Sequence, residues 1–318
     1  MKLRSLTASL LMAAGLISAS GAATAKEEVY LPVVSKGFML EFWQTVKMGS
    51  DAAAKELGVK TSFVGPSDET QIDQQIQLIE NTLARRPQGL LLAALDGNAL
   101  IPAVEQAKRQ NIPVVTFDSG VNSEYPASFV ATNNKAAGAM AGDAMGKLLG
   151  GKGKVAIVSH NAGTSSAIDR IEGFVEQIKA KYPNIKLLSP LYSDSDPQRA
   201  MNQTMDVVRA NPDLVAIYGT NEGSSMGVAT AIQSQGLTGK VKVIGFDASD
   251  AIVNFVETGV MQGVIVQDAF QIGYMGLNTL HSVLNGKNVE KVINVPAVLV
   301  TGENINDANI QKIIKPLG

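Results

Sequence analysis

The sequence contains no cysteine among its 318 residues, and aromatic residues make up only 5% of it. The lack of cysteine excludes disulfide bonds, thiolate metal sites, a cysteine nucleophile and a lipid anchor on an N-terminal cysteine. The chain does not need disulfide bonds, because its length and its 45% of hydrophobic residues are enough for the cores of two ordinary domains.

Charged residues are also scarce, at 18% of the sequence, and the formal net charge is -2. No block of like charges and no low-complexity segment interrupts the chain. A basic surface for nucleic acid or anionic lipid is therefore not indicated, and we expect no nucleic-acid partner.

Several enzyme motifs are missing. There is no H-E-x-x-H zinc motif and no Walker phosphate loop, and the first predicted strand is followed by Ser35-Lys36-Gly37-Phe38 rather than a dinucleotide fingerprint. Of the two histidines, His160 follows a predicted strand without an evident partner, and His281 lies on a helix with an apolar pattern. We therefore predict that the chain is not an enzyme and has no cofactor and no metal site.

The N-terminus has the pattern of a signal peptide. Lys2 and Arg4 precede an apolar run of small residues over 6–23, and an Ala-Thr-Ala sequence ends at Ala25. An uncleaved anchor is the alternative, but the run is short for a membrane-spanning helix. We expect a signal peptide over 1–25, cleavage after Ala25 and a freely diffusing protein in the periplasm.

After this leader, strand and helix patterns alternate. Strands are predicted over 29–34, 59–64, 89–95, 112–118, 127–131, 154–159, 186–192, 214–219, 240–247, 263–267 and 292–300. Helices are predicted over 42–57, 70–85, 99–110, 135–149, 165–182, 197–210, 224–235, 251–258, 270–284 and 304–314. Such alternation indicates parallel sheets covered on both faces. The pattern restarts near Asn133, which favours two doubly wound α/β domains over a closed eight-stranded barrel.

Two of these strands end in the same way. Residues 112–118 and 240–247 are apolar runs rich in β-branched residues, and they finish in Phe-Asp at Asp118 and Asp247. In open α/β sheets, ligands bind in the crevice outside the carboxyl ends of the strands. The two aspartates are therefore the first candidates for a ligand site.

The other predicted strand ends carry polar side chains that form hydrogen bonds but no pair of nucleophile and base. They include Lys36, Ser119, Asn221 and Gln267. Carboxylates and amides of this kind suit a neutral ligand rich in hydroxyl groups, and the aromatic pair Phe42-Trp43 could cover the apolar face of a sugar ring. Each residue also has a structural interpretation: an aspartate or asparagine here can be a helix cap, and the aromatic pair can be core.

In combination, these residues resemble the periplasmic sugar-binding proteins of the ribose/galactose type, which serve ABC importers. The resemblance runs from Lys26 to about Thr301. Its most specific stretches are Phe42-Trp43 with Gly49, 112–118, 162–165 with Arg170 and Gly173-Phe174, 220–222, 243–247, and Gln267 with 271–273.

The resemblance implies a role for each matching residue. Phe42 and Trp43 would flank the sugar, and Asp118 would accept its ring hydroxyls. Arg170 would donate to hydroxyls or to the ring oxygen, although a mid-helix arginine is usually solvated. The C-terminal lobe and the hinge would contribute polar side chains from Asn221, Asp247 and Gln267.

The chain also departs from this family at specific positions. Ribose receptors have an arginine after the first aspartate, where this chain has Ser119, and Lys36 or Glu41 is expected to replace the lost group. A relative that binds a furanosyl autoinducer has Asp-Ser at the position of Asp118-Ser119. The resemblance therefore predicts a sugar or similar polyol without identifying it; Asp194 and Asp196, interpreted as a turn and a helix cap, are further residues that could affect specificity.

The family fold implies three crossings between lobes, which we expect near Thr132, Gln267 and Pro296. The predicted N-terminal lobe is 26–132 plus 268–295, and the C-terminal lobe is 133–267 plus 296–318. The lobes would close over the ligand at a hinge and present it to an inner-membrane ABC permease. We expect a monomer.

Three other functions compete with import. A receptor of the same fold could report a sugar or furanosyl autoinducer to a chemoreceptor or kinase. A transcription regulator would need a DNA-binding headpiece where the leader stands. An exported carbohydrate enzyme would turn its sugar over.

Overall fold

The computed structural model describes residues 28–316, so the predicted signal peptide and its cleavage site lie outside the described residues. Within that part of the chain, the strands form two separate sheets of six and seven strands. The prediction of two doubly wound domains is confirmed, and the closed barrel is wrong. No helix between residues 28 and 316 combines the length and the apolar character needed to span a membrane.

Elements are numbered in chain order. The first lobe comprises β1 (Val33–Val34), α1 (Glu41–Leu57), β2 (Phe63–Val64), α2 (Ile72–Ala84), β3 (Leu90–Leu92), α3 (Ile101–Arg109), β4 (Val114–Phe117), β5 (Ser128–Thr132), α9 (Ala269–Leu284) and β12 (Val292–Val295). Its strands are all parallel, in the order β12-β5-β4-β3-β1-β2.

The second lobe comprises α4 (Asn134–Leu148), β6 (Lys152–Ser159), α5 (Ser165–Lys181), β7 (Asn184–Leu187), β8 (Leu191–Tyr192), α6 (Pro197–Ala210), β9 (Leu214–Gly219), α7 (Glu222–Ser234), β10 (Lys242–Phe246), α8 (Asp250–Glu257), β11 (Gly263–Gln267), β13 (Ala297–Val300) and α10 (Ala308–Ile314). The order is β13-β11-β10-β9-β6-β7, with β8 also paired to β6. Strand β13 is antiparallel to β11, which departs from the purely parallel expectation.

Both sheets have the same winding. Strands β2-β1-β3-β4-β5 and β7-β6-β9-β10-β11 each run in the order 2-1-3-4-5. In sheets of this order, the chain reverses its winding direction between the first and third strands, and the loops that follow them diverge to leave a crevice. The carboxyl ends of the strands in each lobe are therefore the places to look for a ligand site.

The chain passes between the lobes three times. It leaves the first sheet after β5, and α4 packs against β10 and β11 of the second sheet. It returns after β11, because α9 packs on β4 and β5. Pro296 then separates β12, which pairs with β5, from β13, which pairs with β11. The three-crossing hinge is thus part of the fold, while the exact lobe boundaries given above stay a prediction.

Each sheet is buried on both faces, which explains its continuous apolar strands. In β3, Leu91 packs with α1 and α9, whereas Leu90 and Leu92 on the opposite face pack with α2 and α3. The second sheet separates two further clusters in the same way.

Close helix pairs in the two lobes depend on glycine. A Cβ on Gly49 of α1 would lie 2.0 Å from the Phe270 carbonyl oxygen, and one on Gly273 of α9 would lie 2.0 Å from that of Val46. In the second lobe, a Cβ on Gly173 of α5 would lie 1.9 Å from the carbonyl oxygen of Lys135 on α4. These backbone contacts leave no room for a side chain, so glycine sets the spacing of both pairs.

Some predicted boundaries were wrong. The strand predicted over 186–192 is divided into β7 and β8, and the strand over 292–300 is divided at Pro296 between the two sheets. Proline has no amide hydrogen to continue a ladder, which accounts for the second division. Helix α10 begins at Ala308 rather than Asn304, and α7 begins at Glu222 rather than Ser224.

Candidate functional site

Asp118 and Asp247 occupy matching positions in the two lobes. Each directly follows a buried strand, β4 or β10, and each has a left-handed backbone, with φ of 54° and 69°. Aspartate tolerates this conformation better than most residues. Both residues line one cavity between the lobes.

This cavity is lined by residues from both lobes and contains most of the predicted site. Its lining consists of Lys36, Leu40, Phe42, Trp43, Glu69, Asp118, His160, Arg170, Asn221, Glu222, Asp247 and Gln267. Ser119 is not part of the lining, but its hydroxyl donates a hydrogen bond to Asp118 and accepts one from Lys36. The predicted residues therefore lie together, and their role in ligand binding stays a prediction.

Lys36 and Asp118 form a buried ion pair. The Lys36 Nζ lies 2.9 Å from Asp118 Oδ2, and both side chains are 3% exposed. Lys36 also donates to the hydroxyls of Ser119 at 3.0 Å and Ser166 at 3.4 Å. Ser119 donates to the same Asp118 Oδ2. Since the contacts described here use Oδ2, Asp118 Oδ1 remains as an acceptor for a ligand hydroxyl.

Arg170 is buried rather than solvated. Its Nε donates to Asn134 Oδ1 and its Nη1 donates to the Thr220 carbonyl oxygen, both at 2.8 Å. The guanidinium lies over the Phe246 ring, 3.7 Å from the ring centroid. These three contacts fix the guanidinium plane at the cavity, where its other N–H groups remain available as donors.

Asp247 is held by two donors from its own lobe. Oδ1 accepts from Gln267 Nε2 at 2.7 Å, and Oδ2 accepts from the Glu222 backbone N–H at 2.9 Å. Burial raises the pKa of Asp247, and the positive charge of Arg170 opposes that rise. The two partners orient the carboxylate without using all of its lone pairs.

Asn221 caps a helix and also lies at the cavity, where its role in ligand binding stays a prediction. Its Oδ1 caps helix α7 by accepting from the Ser224 N–H at 3.0 Å, and its Nδ2 donates to Ser195 Oγ at 2.8 Å. It also lines the cavity. The helix-cap interpretation and the site prediction are therefore compatible.

The aromatic pair likewise belongs to the core and lines the cavity. Phe42 and Trp43 are 7% and 1% exposed and belong to the core of the first lobe, yet both line the cavity. Their ring centroids are 4.8 Å apart and nearly perpendicular, at 81°. Trp43 Nε1 donates to Glu69 Oε1 at 2.8 Å, which fixes the indole.

Glu69, His160 and Glu222 also line the cavity but were not among the predicted site residues. His160 has two partners, since its Nδ1 lies 3.1 Å from Thr220 Oγ1 and its Nε2 lies 3.1 Å from Ser166 Oγ. Burial, together with the nearby positive charges, lowers the pKa of His160 well below its usual value, so the ring is neutral. The position of His160 after a predicted strand was visible in the sequence, but its partners Thr220 and Ser166 were not.

The two lobes are in contact around the cavity. Gly97 N–H donates to the Gly163 carbonyl oxygen at 3.2 Å, and Gly120 N–H donates to Ser165 Oγ at 3.0 Å. Ser195 Oγ of the second lobe donates to Glu69 Oε2 of the first at 2.7 Å. The structure is therefore a closed form of the two-lobed molecule.

One match to a hydrolase pattern lies beside this site. Residues 223–227 read Gly-Ser-Ser-Met-Gly and fit the G-x-S-x-G nucleophile pattern, in which the serine stands on a sharp turn. Here Ser225 lies within helix α7, is fully buried, and accepts from the Phe246 N–H at 2.8 Å. This serine packs the helix against β10, so the match does not indicate a hydrolase.

Comparison with known proteins identifies the family. The family described as periplasmic binding protein domain matches residues 31–288. The ribose import binding protein of Haemophilus influenzae is 31% identical over 300 residues, covering 94% of this chain and 99% of that protein. The D-allose-binding periplasmic protein of Escherichia coli is 32% identical over 273 residues, covering 83% and 86%.

Solved structures agree with this assignment. A carbohydrate transporter solute-binding protein from Agrobacterium radiobacter, in complex with D-arabinose, has a TM-score of 0.88 and 34% identity, covering 92% of this chain and 100% of that one. An ABC transporter solute-binding protein from Agrobacterium vitis with bound D-fucose has a TM-score of 0.86 and 38% identity, covering 89% and 98%. The chain belongs to the periplasmic binding protein family.

Proposed function

We propose that this chain is the substrate-binding protein of an ABC importer and that it captures a monosaccharide or similar polyol between its lobes. The observation that carries the proposal is the convergence of Asp118 from one lobe with Arg170 and Asp247 from the other on one cavity. The relatives described above bind ribose, allose, arabinose and fucose, which supports the same ligand class.

Each site residue has a specific part in this proposal. Asp118 and Asp247 accept hydroxyl protons of the sugar, Arg170 donates to its oxygens, and Asn221 and Gln267 add amide contacts. Phe42 and Trp43 pack on the apolar C–H face of the ring. A sugar that lacks a matching hydroxyl leaves a buried polar group unpaired, and this penalty provides selectivity.

Lys36, Ser119 and the charge balance of the site favour a neutral ligand. The Lys36 ammonium neutralises Asp118 and has its donors engaged by Asp118, Ser119 and Ser166. A ligand carboxylate beside Asp118 would meet a like charge, and pairing it with Lys36 would break this buried pair at a cost of several kcal/mol. We infer that uncharged sugars and polyols bind and that sugar acids do not.

The sugar leaves the protein unaltered in this proposal. Hinge opening at the membrane transfers it to the permease, which recognises the closed lobes. Export after cleavage at Ala25 would bring the chain to the periplasm as a monomer, and N-terminal sequencing of the secreted protein would show whether it begins at Lys26.

A second function is a signalling receptor of the same fold. The Asp118-Ser119 pair favours it, since this pair resembles the one in furanosyl-autoinducer receptors. The receptor would report its ligand to a chemoreceptor rather than to a permease.

A thermal-shift screen tests these proposals. The candidates are D-ribose, D-allose, D-arabinose, D-fucose, xylitol and furanosyl compounds, with a sugar acid as a negative control. A true ligand at 100 times its Kd should stabilise the protein by about 2.7 kcal/mol. Stabilisation by the furanosyl compounds alone would favour the receptor, and no stabilisation by any candidate would contradict both functions.

A further inference from the structure

Helix α1 begins without a capping side chain of its own. The residue before it is Leu40, which provides no side-chain hydrogen bond. The first N–H groups of a helix have no partner within the helix, and serine, threonine, aspartate or asparagine usually accepts from them. The amides of Glu41 and Phe42 therefore need acceptors from elsewhere.

The opposite lobe provides these acceptors. Glu222, the first residue of α7, accepts from the Glu41 N–H through Oε1 at 3.1 Å and from the Phe42 N–H through Oε2 at 2.9 Å. Its side chain is nearly completely buried, at 2% exposed. A carboxylate at a helix N-terminus is also favoured by the helix dipole.

The arrangement is reciprocal. Glu41 of α1 extends to the second lobe, where its Oε2 accepts from the Asp250 N–H, at the start of α8, at 3.0 Å. Each lobe thus contributes one glutamate that accepts from the N-terminus of a helix in the other. The Glu41 contact is exposed and the Glu222 contact is buried, so Glu222 should contribute more.

We propose that Glu222 and Glu41 form a reciprocal latch between the lobes, and that Glu222 is the positioning residue that sets how long a captured sugar is retained. The inference rests on the proposed function. It follows from the way Glu222 connects two site residues, since its backbone N–H orients Asp247 and its carboxylate binds the backbone of Phe42.

The latch should affect the dissociation rate of the sugar and the association rate differently. Its bonds join the two lobes, so they are present in the closed form and absent in the open form that admits the sugar. Removing them should accelerate dissociation and leave association nearly unchanged. A residue that merely stabilised the fold would change the free energy of unfolding, and its loss would not raise the sugar dissociation rate selectively over the association rate.

Stopped-flow fluorescence of Trp43, the single tryptophan, measures both rates with whichever of D-ribose, D-allose, D-arabinose or D-fucose binds. The variants are Glu222→Ala, Glu222→Gln and Glu41→Ala, with Asp51→Ala as the control, because Asp51 lies on α1 and pairs with Lys47 of the same helix. Loss of the two bonds between the lobes corresponds to a rise in the dissociation rate of about tenfold or more for Glu222→Ala. Glu222→Gln, which keeps one acceptor oxygen, should be intermediate, and Glu41→Ala should change the rate by a few-fold.

A second measurement reports the lobes directly. The chain has no native cysteine, so spin labels at Met48→Cys on α1 and Ile168→Cys on α5, both exposed, give a clean distance between lobes. Glu222→Ala should shift this distance towards the open form, with or without sugar. If Glu222→Ala fails to fold, Glu222→Gln and Glu41→Ala carry the test.

The outcomes separate the two proposals. If the parent protein binds none of the sugars, the proposed function fails, and the label distances without sugar still test the latch. If the parent protein binds sugar but the glutamate variants keep its dissociation rate and its label distances, the latch is wrong and the function stands.

Discussion

At the scale of single residues, the site combines two aspartates with different neighbours. Asp118 is paired with the Lys36 ammonium at 2.9 Å. Asp247 has an amide and a backbone N–H as its hydrogen-bond partners. Both are buried and both are oriented before a ligand arrives, which reduces the entropy lost on binding. Sugar affinity should therefore depend strongly on each carboxylate.

Replacing Asp247 with alanine removes an acceptor for sugar hydroxyls. It also leaves Gln267 Nε2 and the Glu222 backbone N–H without their acceptor in the cavity wall. We expect Asp247→Ala to weaken sugar binding by roughly 100-fold or more, since hydrogen bonds to a charged group each contribute about 1.5–3 kcal/mol. Titration calorimetry measures this change, and circular dichroism checks the fold.

The matched control is Asp206→Ala, because Asp206 is 75% exposed and pairs only with Arg209 of its own helix among the contacts described. Its affinity should equal that of the parent protein. An Asp247→Ala protein that is folded and binds sugar normally would remove Asp247 from the site.

Glu222 should make binding depend on pH. Burial raises the pKa of its carboxyl from 4.5 to about 8 in the closed form, and the neighbouring Asp247 and Glu41 carboxylates add to the rise. In the open form the group meets water and titrates near its ordinary value. The closed form therefore holds a proton that the open form releases, and this contribution to closure is complete below about pH 4.5 and is lost as the pH rises through about 8.

Sugar affinity should thus fall between about pH 4.5 and pH 8 and level off above that range, with proton uptake on binding near pH 7. Calorimetry in buffers of different ionisation enthalpy measures both quantities. Glu222→Gln should abolish most of the dependence. An affinity that rises with pH, or an unchanged slope in that variant, would refute the assignment.

At the scale of elements, glycine contacts determine where Arg170 lies. Gly173 is one turn along α5 from Arg170, and a Cβ there would lie 1.9 Å from the Lys135 carbonyl oxygen of α4. Gly173→Ala must push these helices apart, which should cost about 3 kcal/mol of unfolding free energy and displace Arg170 from the cavity. Urea unfolding and calorimetry measure the two effects.

Gly302→Ala is the control, since the nearest atom to a Cβ there is 3.9 Å away. It should leave stability and sugar affinity within a few tenths of a kcal/mol of the parent values. If Gly173→Ala behaved in the same way, glycine would not set the helix spacing.

Several elements could be predicted to the residue. Helix α6 begins at Pro197 after the cap Asp196, whose side chain accepts from the Arg199 N–H, and proline at the first helical position is a strong start signal. Strands β9 and β11 also match the prediction. Periodicity and caps are local, so the sequence expresses them directly.

Other features depend on contacts between distant segments. The division of 292–300 between two sheets follows from the pairing of β12 with β5 and of β13 with β11, which no local pattern encodes. Asp118, Arg170 and Asp247 could be located from the sequence, because they stand at strand ends or in a family motif. Glu69 and Glu222 could not. Glu222 accepts from Glu41 and Phe42 of the opposite lobe, and Glu69 accepts from Ser195 of the opposite lobe as well as from Trp43 of its own. Contacts between lobes form only on closure, and no local pattern encodes them.

At the scale of the molecule, two lobes of the same winding face each other across one cavity, and the chain crosses between them three times. This connection lets the lobes rotate while each core stays intact. We therefore expect one bound sugar per chain and a more compact molecule when the sugar is bound.

Titration calorimetry of the purified protein, followed by chemical analysis of the recovered sugar, is the decisive measurement of capture without turnover. At least one neutral monosaccharide or polyol should bind one-to-one with a micromolar or lower Kd and be recovered unchanged. Absence of binding by every neutral sugar, or recovery of a converted product, would contradict the proposed function.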